Sequence, residues 1–184
     1  MPLTKAVRRK LQHRRTVVCD GYEREDGLWD IEGRMTDVKT DTVDNPERGG
    51  FVPAGEPFHD IWLRLTLDRT LKIHQAEAAI EASPFRICPG ITGQYRKLEG
   101  TRIGPGWHRQ ANDLLGGTRG CTHLNELLKP LATTAIQALW PSTDEEVMKL
   151  GANVMLNTCH TWGQGSQVIK QYLPDLYQAE GSDS

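Results

Sequence analysis

The chain has 184 residues, 38% of them apolar and 25% charged, with a formal net charge of −2. That length and balance suit one soluble globular domain, 1–184, and exclude a fibrous or disordered chain. No apolar run approaches a membrane span of about 20 residues, and the N-terminus lacks the apolar stretch of a signal peptide. A cytoplasmic protein with no membrane partner is expected. Four cysteines, Cys19, Cys88, Cys121 and Cys159, are too few in a chain this long for a disulfide framework, so the thiols are expected free or metal-bound. Charge is unevenly placed: 1–15 holds Lys5, Arg8, Arg9, Lys10, Arg14 and Arg15 and no acid, leaving the remainder acidic. A basic N-terminal arm over 1–15, solvated or strapped across the body, is expected. The acidic body argues against a nucleic-acid partner.

In chain order, Thr16–Cys19 reads as a short strand, followed by a turn at Asp26-Gly27. Leu28–Val38 alternates as a second strand paired with the first. Residues 41–57 are rich in Asp, Asn, Pro and Gly and read as a long loop. Ile61–Leu67 is the clearest strand. Asp68-Arg69-Thr70 is a hairpin turn, and Leu71–Ala79 returns antiparallel. Leu63, Leu65 and Leu67 are expected to face the helices, because strand side chains alternate.

Pro89 suits the first position of a helix running from Cys88 to about Leu98, and Trp107–Leu115 forms a short helix. The best helix covers 122–140, where Leu124, Leu127, Leu128, Leu131, Ala132, Ala135, Ile136 and Leu139 form one apolar stripe ending at Pro141. Ser142-Thr143-Asp144-Glu145 has the capping-box spacing for a helix over 143–150, and a last helix spans about 165–173 before Pro174. Strands first and helices later imply an α+β fold: an antiparallel sheet covered on one face by helices. The sheet-plus-helix core is read as 16–140 and a C-terminal helical extension as 141–184.

Three features fall at comparable places in this topology. His59-Asp60 precedes the central strand, Cys88 follows the hairpin, and Cys121 with His123 opens the long helix behind Gly116, Gly117 and Gly120. A thiol at a helix N-terminus feels the positive end of the dipole, which favours the thiolate. His59, Cys88, Cys121 and His123 are therefore expected to bind zinc or iron on one rim of the sheet, with Asp60 as a further ligand or general base. Cys159-His160 is a second thiol–imidazole pair, placed to fold back over that cluster, with Trp162 beside it. His13, His74 and His108 stand isolated in the sequence. No dinucleotide, P-loop or nucleophile-elbow fingerprint is present.

Gly27–Gly33, Gly55–Leu65, Arg102–Trp107 and Gly120–Leu124 resemble the bacterial family catalogued as domain of unknown function 2889. The resemblance runs from about His13 to Tyr177 and implies a bacterial, cytoplasmic protein. It also implies that the Thr158-Cys159-His160 run belongs to the family pattern. No activity comes with it. The order of Asp60, Cys88 and Cys121 also resembles the NifU-like iron–sulfur scaffold fold, which has a further cysteine near Phe58 or His59 that is absent here.

The reading that follows is a small metal-dependent enzyme, a hydrolase or lyase acting on a small organic substrate. His59, Cys88, Cys121, His123, Cys159 and His160 supply the ligands, and Asp60 and His123 the acid–base chemistry. The alternatives are a non-catalytic iron–sulfur or metal carrier, and a metal-free cysteine enzyme with Cys121 as nucleophile and His123 or His160 as base.

Overall fold

A computed structural model describes residues 3–139, 151–152 and 154–179. The expected helix over 143–150 lies outside them. The chain divides into two compact units, 1–135 and 136–184. The architecture is α+β, as the strand and helix order implies.

In the first unit, β1 (His13–Glu23), β2 (Trp29–Lys39), β5 (Pro57–Leu67) and β6 (Ile73–Ala82) form an antiparallel sheet in the order β1-β2-β5-β6. The 41–57 segment, expected as a loop, folds into a small second sheet of β3 (Val43–Asn45) and β4 (Gly50–Val52). β1 is more than twice the expected length and absorbs the last three residues of the basic arm. Its pairing starts at His13↔Lys39, because the antiparallel ladder continues as long as β2 offers partners.

Alternation sets the core. Ile31, Gly33 and Met35 of β2 and Ile61, Leu63, Leu65 and Leu67 of β5 are all buried on one face, so the three leucines face as expected. On the other face Arg34 lies over the Trp62 ring at 4.7 Å and forms a two-point ion pair with Asp60. The hairpin turn is held by Asp68, whose Oδ1 accepts from Thr70 N–H at 2.8 Å and Lys72 N–H at 3.2 Å, while Oδ2 meets His74 Nε2 at 2.8 Å. His74 is thus a turn residue.

Cys88–Leu98 is helical as expected but winds as 3₁₀ turns, with Gly90 and Gly93 lowering its α propensity and only Tyr95 and Leu98 buried. Helix α1 spans Trp107–Leu115 and helix α2 Thr122–Leu139. α2 lays its leucine stripe on the sheet: Leu124, Leu127 and Leu131 are fully buried. It crosses at Gly33, where an added Cβ would stand 3.1 Å from Leu131 Cδ2. The missing side chain lets helix and sheet approach. In the second unit, Gln167–Tyr172 forms a short helix capped by Ser166, whose Oγ accepts from Ile169 N–H. No helix among the described residues is long and apolar enough to cross a membrane.

Candidate metal centre

The inward face of β2 ends on an acid. Asp37 continues the row Ile31, Gly33, Met35 and is 2% exposed. Strand register puts Arg15 opposite it on β1 and His59 opposite it on β5, so three adjacent strands deliver one transverse row. His13 lies two residues before Arg15 and shares its face. β5 carries an extra residue, Phe58, between the Asp37↔His59 and Val38↔Pro57 pairs. A bulge beside a site re-aims the neighbouring side chain.

α2 closes the row from above. Its first turn is anchored by the buried Tyr95, whose hydroxyl accepts from Cys121 N–H at 3.1 Å and donates to Asn125 Oδ1 at 2.7 Å. The Asn125 amide in turn donates to Leu115 O at 2.8 Å. Cys121 stands just before the helix and accepts Asn125 N–H on its carbonyl. His123 and Glu126, three residues apart, then share the helix face toward Asp37.

The Asp37 carboxylate accepts two hydrogen bonds from Arg15, pairs with His59, and has His13 close by as an ion-pair neighbour. Oδ1 takes Arg15 Nε at 2.8 Å and His13 Nε2 at 3.0 Å. Oδ2 takes Arg15 Nη2 at 2.8 Å and His59 Nδ1 at 3.0 Å. His123 Nε2 stands 3.9 Å from the same Oδ2, and the His59 and His123 rings lie 3.9 Å apart, tilted by 34°. Arg15 also pairs with Glu126.

Burial alone would raise the pKa of Asp37. The two Arg15 hydrogen bonds, the Arg15 charge and the neighbouring imidazoles outweigh it and hold the group at about 2. An ionised carboxylate only accepts, so His59 Nδ1 carries the proton between them. The pKa of His59 is depressed, first by burial and then by the adjacent His123, against the pull of Asp37.

Asp37, His59 and His123 each offer a ligand atom, and these atoms lie within 4.8 Å of one another. It is the one such group of three among the described residues. Of the residues expected on one rim, His59 and His123 come together from β5 and α2. Cys88, Cys121 and Asp60 are not in the group. Cys88 begins the 3₁₀ segment, Cys121 caps α2, and the Asp60 carboxylate is engaged by Arg34. Asp60 follows His59 on a strand, and consecutive strand side chains point to opposite faces. Cys159 and His160 are exposed in the second unit, and all four thiols are free. Sequence reasoning missed Asp37, Arg15, Glu126 and the part played by His13. The signal for Asp37 was an acid continuing the apolar alternation of β2.

No curated protein and no solved structure matches the chain. A family model matches residues 13–137, a span that holds every member of the cluster and ends before Cys159. The chain therefore belongs to the family described as protein of unknown function (DUF2889).

Proposed function

We propose that Asp37, His59 and His123 hold one zinc or iron ion, and that the protein is a small cytoplasmic metal-dependent enzyme acting on a small organic substrate. The spacing around Asp37 Oδ2 carries this reading. With metal–ligand bonds of about 2.1 Å, neighbouring ligand atoms stand about 3.0 Å apart in an octahedral site and about 3.4 Å in a tetrahedral one. His59 Nδ1 is already at 3.0 Å, and His123 Nε2 at 3.9 Å needs only a small closure. The ion would replace the proton between Asp37 and His59. Two imidazoles and a carboxylate would leave such an ion with open positions, and it would there supply activation of water or polarisation of a carbonyl. The His59 and His123 side chains are 14% and 27% exposed, which gives an ion and a small substrate a way in. Arg15 would orient the carboxylate as outer partners do in metal sites. Four free thiols support a reducing compartment.

The test is metal content of untagged protein, followed by anaerobic titration of chelator-treated protein with Zn²⁺ and Fe²⁺. One equivalent is expected, taken up with proton release and more weakly as pH falls, because the ion competes with protons for the imidazoles. His59→Ala should abolish uptake. No uptake would leave the Asp37–His59 pair as a metal-free base, its imidazole tautomer set by the carboxylate. Iron with sulfide would instead support a cluster carrier.

A further inference from the structure

The sheet has two unlike edges. At the start of β6 the backbone is taken up by the segment that follows: Ile73 N–H donates to Thr101 O at 2.9 Å, Gly100 N–H to Ile73 O at 2.8 Å, and Ala76 N–H to Glu99 Oε1 at 3.3 Å. β1 pairs with β2 on one side and with no strand among the described residues on the other. Ten of its eleven residues are exposed. The two ends of the β1/β2 ladder show which backbone groups face outward. Thr40 N–H donates to Gln12 O, and Arg24 N–H to Leu28 O, so even-numbered residues bond toward β2. Antiparallel alternation then turns the N–H and C=O groups of the odd-numbered residues, His13 through Glu23, away from the sheet. An open row of this kind templates another strand.

We propose that β1 pairs antiparallel with β1 of a second copy of this chain, joining two four-stranded sheets into one of eight strands about a two-fold axis at Val17–Val18. The order of side chains selects this occupant. β1 opens with His13, Arg14 and Arg15, carries Asp20 and Glu23 at its far end, and exposes Val17 and Val18 at its centre by 41% and 47%. A two-fold axis reverses the second strand, so basic end meets acidic end and the valines meet in the middle. With Val17 on the axis, Arg14 faces Asp20 of the second copy. With Val18 on the axis, His13 faces Glu23 of the second copy. Neither register sets like charges directly opposite, whereas in-register parallel pairing would set Arg14 against Arg14. The same strand carries His13 and Arg15, so pairing would fix two partners of Asp37. The proposal does not depend on a metal.

Sedimentation velocity of the full chain, metal-free, from about 1 to about 100 μM tests it. The expected result is a concentration-dependent species of twice the 20.6 kDa chain mass. Val17→Pro removes an outward N–H and leaves the β2 ladder intact, so a folded monomer by circular dichroism is expected. Should that variant fail to fold, Val18→Glu sets two carboxylates beside the axis in either register on an exposed position. It should raise the dissociation constant at least about tenfold, the effect of about 1.4 kcal/mol. A wild-type monomer throughout, or a dimer that a folded variant leaves unchanged, overturns the proposal.

Discussion

Asp37 and His59 face each other across the β2/β5 ladder, with Asp37 Oδ2 3.0 Å from His59 Nδ1. The register that pairs them also places Arg15 on the other side of Asp37. One buried carboxylate therefore ties three strands together and reaches the start of α2 through Arg15 and Glu126. Asp37→Asn keeps the shape and removes the charge. It should destabilise the metal-free protein by roughly 1–3 kcal/mol in urea, less than a fully buried pair because Arg15 is still 35% exposed. A loss under about 0.5 kcal/mol would mean that the carboxylate does not organise this edge.

Two aspartates set the acid limb of stability. Their surroundings hold Asp37 and Asp68 both at about 2 in the folded protein, below the roughly 3.9 of an ordinary aspartate. A depressed carboxyl pKa means that the unfolded chain binds more protons between those values, so stability rises with pH there. The contribution is full above about pH 4 and is lost as pH falls toward 2. Asp68→Asn should flatten part of that limb in urea melts at stepped pH, leaving the Asp37 part. An unchanged slope would show that the Asp68 cluster at the hairpin turn is not formed in solution.

Most of the scaffold was legible because its signals are local. Ile61–Leu67 and the turn at Asp68 follow from alternation and turn chemistry, and the α1 and α2 bounds follow from glycines, Pro141 and the leucine period. The site was half legible for the opposite reason. His59 and His123 could be placed at element starts, but their carboxylate partner depends on register between distant strands. Asp60, next to His59, was the obvious acid, yet a one-residue step on a strand reverses the face. Asp37 comes into view only when β1, β2 and β5 are aligned. Arg15 was hidden in a basic run that read as a solvated arm.

Gly33 is where α2 touches the sheet. An alanine Cβ there would stand 3.1 Å, 3.2 Å and 3.4 Å from the Leu131 side-chain carbons, and Leu131 is fully buried. The leucine must give by a few tenths of an ångström or the helix must rise. Gly33→Ala should therefore cost about 1–3 kcal/mol of overpacking, and Gly33→Ala with Leu131→Ala should recover part of it. Additive losses in the double variant would show that the two positions do not meet. Because α2 also delivers His123, the single variant should weaken metal uptake as well.

The ligand set itself is decided by two neighbouring residues. Cys121 and His123 both belong to the start of α2, and a shared thiolate site would use the first as readily as the second. The structure gives Cys121 a capping task through its backbone, with Tyr95 on its N–H and Asn125 on its carbonyl. Serine supports both backbone bonds and is a good cap, so Cys121→Ser should keep the fold and still bind one equivalent of Zn²⁺ with unchanged affinity. His123→Ala removes a ligand, so its Zn²⁺ affinity should fall by at least about 10–100-fold, the cost of losing even an outer partner. Binding is read by competition with a chromophoric chelator at pH near 7.5. The reverse outcome, loss on Cys121→Ser and retention on His123→Ala, would move the metal from Asp37 to the thiols and return Cys88 and Cys121 to the ligand set.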